Sequence, residues 1–232
     1  MSCQKPPAVD SQDLLARFTP FNMLDDRERA RIQAGARPIH AARGELLLQQ
    51  DDCPRGVYLV LSGRVKCFVL SPSGGEKIVN LGEPGGFFGE DAALLNRPHI
   101  VNAQAMCPSE LLLVPTFILR ETMVSSPAFS VSMAMRLAMA NYDLLATMQM
   151  QLQMSGTQRV AHYLTRLAPD DAERCEIRLD IDKQTIAAQL NLTPETLSRI
   201  LSQLTREGMI QPRGRRGIVL SKLSELRSCA AH

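Results

Sequence analysis

The 232 residues predict an α+β protein: a β-rich N-terminal half, a long helix, and a C-terminal winged helix-turn-helix. Three observations carry this. Short β-type runs punctuated by glycine fill the stretch from Arg43 to Pro115, an unbroken helical stretch follows Pro127, and two amphipathic helices with an arginine-tipped hairpin follow Asp182. Domain boundaries are expected at 1–126, 127–155 and 156–232.

The first dozen residues are polar and rich in proline, after which SQDLLARF and DDRERARIQAGA carry apolar residues at helical spacing and predict short helices. From about Arg43 the period changes. GELLLQQ, GVYLVLSGRVKCFVL, EKIVNL and ELLLVP read as short strands of a barrel, sandwich or roll. Gly44, Gly56, Gly63, Gly74, Gly75, Gly82, Gly85, Gly86 and Gly89 are expected to supply positive φ at the turns, and SPSGGEK reads as a hairpin loop.

AFSVSMAMRLAMANYDLLATMQMQLQM contains no Gly or Pro and is built from good helix formers, so one helix of about 25 residues is the simplest account. Leu137, Leu144, Met148 and Leu152 share a stripe at near-heptad spacing, widened by Met133, Met139, Leu145 and Met150. Such a helix must be covered, by its own domain or by a second copy, and the stripe is assigned to a dimer interface. Ser155-Gly156-Thr157 interrupts it. QRVAHYLTRLA then resumes with Val160, Tyr163, Leu164 and Leu167 on one side, and IRLDI reads as a short strand.

DKQTIAAQLNLTPETLSRILSQLTREGMI carries the strongest signal. Ile186, Ala187 and Leu190 form the inner face of one helix, Asn191-Leu192 the turn, and Thr193 the N-cap of a second helix. The buried stripe of that second helix is Leu197, Ile200, Leu201 and Leu204, leaving Glu195, Ser198, Arg199 and Ser202 outward. Arg can bridge guanine O6/N7, a carboxylate can accept from cytosine N4, and serine can serve either edge. Glu195 and Arg199 could also form an ordinary ion pair four residues apart. Beyond them IQPRGRRGIVL reads as a wing, joined through Pro212 and Gly214, with Arg213, Arg215 and Arg216 placed for phosphates.

Charge agrees with this division. Asp182 to Arg227 holds eight Lys or Arg against four acids, a net of +4 in a chain of net +2, so the remainder sums to −2. At 45% hydrophobic and 22% charged residues, the composition excludes wholesale disorder. No run approaches the roughly 20 apolar residues of a membrane span, and MSCQKPPAVDSQ lacks a signal core, so a soluble cytoplasmic protein is expected. Cys3, Cys53, Cys67, Cys107, Cys175 and Cys229 form no CxxC pair and read as structural thiols.

Taken together, YLVLSGRVKCF, the glycine-rich GGFFGEDAALL, the long helix and TPETLSRILSQLTREGMI resemble, in order and over nearly the whole length, the family of the cyclic-AMP receptor protein and the fumarate and nitrate reduction regulator. The resemblance implies a cyclic-nucleotide-binding-type β-roll, a dimerisation helix and a winged helix-turn-helix. It implies a homodimer that acts on double-stranded DNA with RNA polymerase, without a membrane. E-x-x-S-R at Glu195, Ser198 and Arg199 is similar to the fumarate and nitrate reduction type and implies a palindrome close to TTGAT-N4-ATCAA. Gln184, Thr193, Thr196, Arg213, Arg215 and Arg216 are then backbone contacts.

Against this family the effector reads differently. Gly89 and Glu90 match the phosphate cassette, but the loop from Glu90 to Arg97 is shorter than in nucleotide binders. Pro98 follows Arg97, and Leu144-Leu145 stand where the cyclic-AMP receptor presents a Thr-Ser pair; these departures argue against cyclic AMP. With Cys3 alone near the N-terminus, an iron–sulfur ligand set is missing. EKIVNL and NRPHIVNAQAMCPSELLLVP are similar to the cluster-free dissimilatory nitrate respiration regulators, which implies a response to nitric oxide, in several members through haem. His40, His99 and His162 are the candidate imidazoles, with Cys67, Cys107 and methionine side chains as the other candidate ligands, and the metal is unknown. Gly89, Glu90, Arg97, His99, Leu144 and Leu145 mark the candidate effector pocket. An organic ligand, or a thiol switch at Cys53 or Cys107, is the alternative. A regulatory subunit that does not bind DNA is the rival reading, but it would not need Glu195, Ser198, Arg199 and a basic hairpin together. No P-loop, GxSxG or HExxH motif points to an enzyme.

Overall fold

The computed structural model describes residues 14–71, 74–214 and 216–231. The chain divides into two compact units, Met1–Tyr142 and Asp143–His232.

In the first unit, 3-10 turns at Leu15–Arg17 and Phe21–Met23 precede α1 (Asp26–Gly35). Of the expected first helix SQDLLARF, the described residues form a single 3-10 turn at Leu15–Arg17, and the rest lies outside the described residues. Asp25 caps α1 through a reciprocal pair, its carboxylate accepting from the Glu28 amide at 2.7 Å while Glu28 accepts from the Asp25 amide at 3.0 Å. The strands are β1 (Arg37–Ala41), β2 (Leu46–Leu48), β3 (Gly56–Ser62), β4 (Val65–Leu70), β5 (Glu76–Gly82), β6 (Phe87–Phe88), β7 (Asn102–Ala105) and β8 (Ser109–Pro115), with α2 (Glu90–Leu95) after β6. They form two four-stranded sheets, β1-β8-β3-β6 and β2-β7-β4-β5, whose neighbours are all antiparallel.

The near-continuous apolar run of β3 is explained by burial on both faces. Val57 and Leu59 join a cluster with Phe21, Ile32, Leu119, Phe129 and Met133, while Tyr58 and Val60 join one with Val65, Cys67, Phe88 and Leu111. Glycine serves these strands in two ways. Gly63 takes φ +87 at the β3–β4 turn, and a Cβ there would lie 2.1 Å from Ser109 Oγ. Gly56 has no positive φ; a Cβ there would lie 2.1 Å from the Val114 carbonyl oxygen, so close strand approach is what demands it. Gly75, Gly82 and Gly86, expected at positive φ, also lie outside that region.

Two helices close this unit: α3 (Thr116–Ser125) and the first part of α4 (Pro127–Gln153). α4 is one uninterrupted helix of 27 residues. In the second unit, α5 (Gly156–Arg166) opens on a Ser155 cap paired with Gln158. It is followed by β9 (Cys175–Arg178), α6 (Lys183–Gln189), α7 (Pro194–Arg206), β10 (Ile210–Arg213), β11 (Gly217–Leu220) and α8 (Leu223–Ala231). The strands form a sheet in the order β10-β11-β9. Pro212 lies within β10, at the sheet edge where a missing amide proton costs no ladder bond. Val160 and Leu164 are buried as their spacing predicts, whereas Leu167 is exposed. Among the described residues no helix is long and apolar enough to cross a membrane.

Candidate functional site

The second helix of the pair, α7, is built for an exposed polar face. Asn191 takes φ +54 at the turn, Thr193 accepts the Thr196 amide at 3.2 Å, and Pro194 occupies the first helical position. Leu197, Ile200 and Leu204 are buried and Leu201 half-buried, while Glu195, Ser198, Arg199 and Ser202 face solvent. The alternative of a Glu195–Arg199 ion pair is not realised in the structure. Instead Thr193 Oγ1 lies 3.0 Å from Thr196 Oγ1, which accepts from Arg199 Nη2 at 3.3 Å. The cap and the arginine therefore share one hydroxyl chain. Glu195 is held below the usual carboxylate range, first by its own backbone amide at the helix start, then by the Thr193 hydroxyl and the Arg199 charge.

Gln184 is exposed in the first turn of α6, where Asp182 caps by accepting the Thr185 amide at 2.8 Å. In the wing, Gly214 takes φ +65, Arg213 is exposed, and half-buried Arg216 donates to the Asp180 carbonyl at 3.5 Å. Arg215 lies outside the described residues. Two wing residues escaped sequence reasoning. Glu176 on β9 bonds Arg213 at 2.7 Å, and Arg178 shares a register position with Gly217. Only the long-range strand pairing reveals either.

α4 presents apolar residues on more than one side. Phe129 and Met133 are fully buried in their own unit, and Leu137, expected on the dimer stripe, packs half-buried against the same cluster. The helical period explains this, since 129, 133 and 137 follow i, i+4 spacing. Val131, Met135, Met139, Tyr142, Leu144, Leu145, Met148 and Leu152 are more than half exposed. An exposed apolar face of that extent is the kind of surface proteins use to associate.

The expected effector residues fall in both units. Gly89 takes φ +85, with a virtual Cβ 3.6 Å from His99 Cε1, so these two are neighbours. Glu90 begins α2, and burial pushes its carboxyl up to about 7 against a backbone hydrogen bond at the helix start, with the charge of Asp91 adding to the rise and that of Arg136 opposing it. Burial, then the charges of Glu90 and Asp91, push the Cys67 thiol up to about 12. Arg136 lies 5.2 Å from the Phe87 ring centre. Arg97 is exposed, and Leu144 and Leu145 belong to the second unit. His99 is 4% exposed and lines a cavity of about 190 Å3 with Leu46, Leu47, Leu48, Gln49, Asp52, Cys53, Arg55 and Tyr58. Desolvation lowers its pKa, against the charges of Asp91 and Asp52, which favours the neutral ring. His40 is exposed on β1 and His162 half-buried on α5.

Residues 38–125 match the model of the cyclic nucleotide-binding domain, and residues 158–229 that of the Crp-like helix-turn-helix domain. The chain is 32% identical over 192 residues to the regulatory protein HlyX of Actinobacillus pleuropneumoniae, covering 79% of this chain and 78% of HlyX. It is 28% identical over 224 residues to the nitrogen fixation regulation protein FixK of Rhizobium meliloti, covering 97% and 95%. Of solved structures, FixK2 from Bradyrhizobium japonicum is similar with a TM-score of 0.70 and 25% identity, covering 85% of this chain and 98% of that one.

Proposed function

Because the chain belongs to the CRP/FNR family of DNA-binding transcription regulators, we propose that it acts as a homodimer on a palindrome close to TTGAT-N4-ATCAA, with RNA polymerase as partner. The observation that carries this is the outward face of α7, where Glu195, Ser198 and Arg199 stand together and the Thr193–Thr196 chain holds Arg199. Arg199 bridges guanine, Glu195 accepts from cytosine N4, and Ser198 supplements them. Gln184, Thr193, Thr196 and the wing arginines Arg213, Arg215 and Arg216 fix register on the phosphates. Leu144, Met148 and Leu152 with their exposed neighbours on α4 pair two copies, so that the recognition helices meet half-sites about 34 Å apart. The relatives support the reading, since HlyX and FixK are regulatory proteins. A gel shift on the palindrome against duplexes scrambled in each half-site tests it. Tight binding lost on scrambling is expected, and equal affinity for both would overturn it.

We assign the signal to the β-roll unit. Nitric-oxide or redox control through haem needs a porphyrin pocket beside an axial ligand. His99 is the one buried histidine among the described residues, yet its cavity of about 190 Å3 is smaller than the roughly 300–1,000 Å3 of pockets that enclose drug-sized ligands. These residues do not fit haem. The cavity suits a small organic ligand, acting by shifting how the two α4 helices pack and hence how the recognition helices are spaced. A Soret band that survives gel filtration after haem addition and is abolished by His99→Ala would overturn this assignment.

A further inference from the structure

The wing sheet has two unlike faces. Cross-strand register pairs Ile218 with Ile177 and Pro212, and Leu220 with Cys175 and Ile210, so these residues share the inner face. The outer face then carries Gln211, Arg213, Gly217, Val219, Glu176 and Arg178. Arg213 and Arg178 flank Gly217 from the two neighbouring strands, and Glu176 sits one register step away. Gly217 leaves this face open. A Cβ there would lie 2.5 Å from the Arg213 carbonyl oxygen and 3.4 Å from the Arg213 Cβ. Across this opening the Arg213 side chain passes over β11 to reach β9, and Nη1 donates to Glu176 Oε2 at 2.7 Å.

The side chains of the pair are 69% and 49% exposed, and pairs so open to water contribute little to folding. What the contact does change is the charge the wing offers to DNA. The Glu176 carboxylate takes an Arg213 N–H that could otherwise be offered to a phosphate oxygen.

We propose that Glu176 is an internal phosphate mimic: it occupies Arg213 in the free protein and competes with the DNA backbone for it. The proposal rests on the reading of the wing as a phosphate-contacting element. DNA must displace Glu176 to engage Arg213, and the freed carboxylate then lies beside the phosphate it has yielded to. Because phosphate contacts carry no base information, Glu176 sets overall affinity and salt response while leaving base choice to α7.

The test uses the full-length protein and the variants E176Q, R213Q and the double variant. Binding to the palindrome and to a scrambled duplex is measured from 50 to 200 mM salt. Each phosphate contact steepens the slope of log affinity against log salt by about 0.9, which sets a ceiling of about eightfold per wing at 0.1 M. E176Q is expected to tighten binding to both duplexes by the same factor, within that ceiling, with a steeper slope. In the R213Q background E176Q is expected to change neither. Unchanged affinity and slope for E176Q, or a gain that persists without Arg213, would overturn the proposal. If R213Q alone leaves binding to both duplexes unchanged, it is the wing's role in DNA contact that fails, a result distinct from failure of the mimicry.

Discussion

Glu90 opens α2 beneath the roll with a carboxyl whose protonation the fold favours, so its replacement by glutamine makes a quantitative prediction. Its ordinary value of 4.5 rises to about 7, because burial disfavours the anion and, with repulsion from Asp91, outweighs a backbone hydrogen bond at the helix start and the charge of Arg136. The folded state therefore binds a proton that the unfolded chain has released, and stability falls as pH rises from 4.5 to 7. Each pH unit in that window is worth about 1.36 kcal/mol, so ionised Glu90 costs the fold at most about 3.4 kcal/mol at pH 8 and almost nothing at pH 4. Glu90→Gln keeps the shape and removes the charge. Urea unfolding of wild type and variant between pH 4 and 8.5 is the assay. The variant should match wild type at pH 4 and exceed it by up to that amount at pH 8. A gain of equal size at both pH values, or no gain at pH 8, would refute the argument from burial.

Arg199→Ala should cost about 1–3 kcal/mol on the palindrome and relax choice at one base, read by competition with single-base variants of the half-site. Two glycines with similar φ separate backbone strain from crowding. Gly74→Ala, at φ +81 with none of the described residues within 4 Å of the added Cβ beyond its chain neighbours, should cost about 1–2 kcal/mol, and Gly63→Ala, at φ +87 against Ser109, distinctly more in the same thermal denaturation series. Leu145→Asp with Met148→Asp should shift sedimentation from dimer to monomer and abolish binding to the full palindrome. With native protein, a thiol-alkylating reagent should modify exposed Cys53 long before Cys67, which is 3% exposed and pushed up to about 12; mapping the modified peptides checks this.

How much of this was legible depends on whether local pattern or distant pairing decides a residue's surroundings. α7 could be read because one face repeats Leu197, Ile200 and Leu204 and the boundary residues Thr193 and Pro194 act within the first turn. β1 and β7 could not. RPIHA buries little beyond Ala41, and NAQA is short and partly polar, so only the partners supplied by β8, β2 and β4 make strands of them. Leu137 was assigned to the stripe of Leu144, Met148 and Leu152 because α4 is apolar on several sides, and periodicity alone does not say which side its own unit claims. Glu176 stands 37 residues before Arg213 and looks like any solvated carboxylate until β9 and β10 are laid on either side of β11.

The bare stretch of α4 has a consequence for how long a newly made chain survives. Among the described residues, Met139, Tyr142, Leu144, Leu145, Met148 and Leu152 are left more than half exposed in a single copy. Dimerisation that supplies the cover ties stability to mass action, so the melting temperature of the regulator should climb with protein concentration. A copy that has not yet met its twin presents an oily helix to chaperones and proteases. The level of expression therefore enters the response twice, once in the occupancy of the operator and once in the fraction of chains that last long enough to reach it.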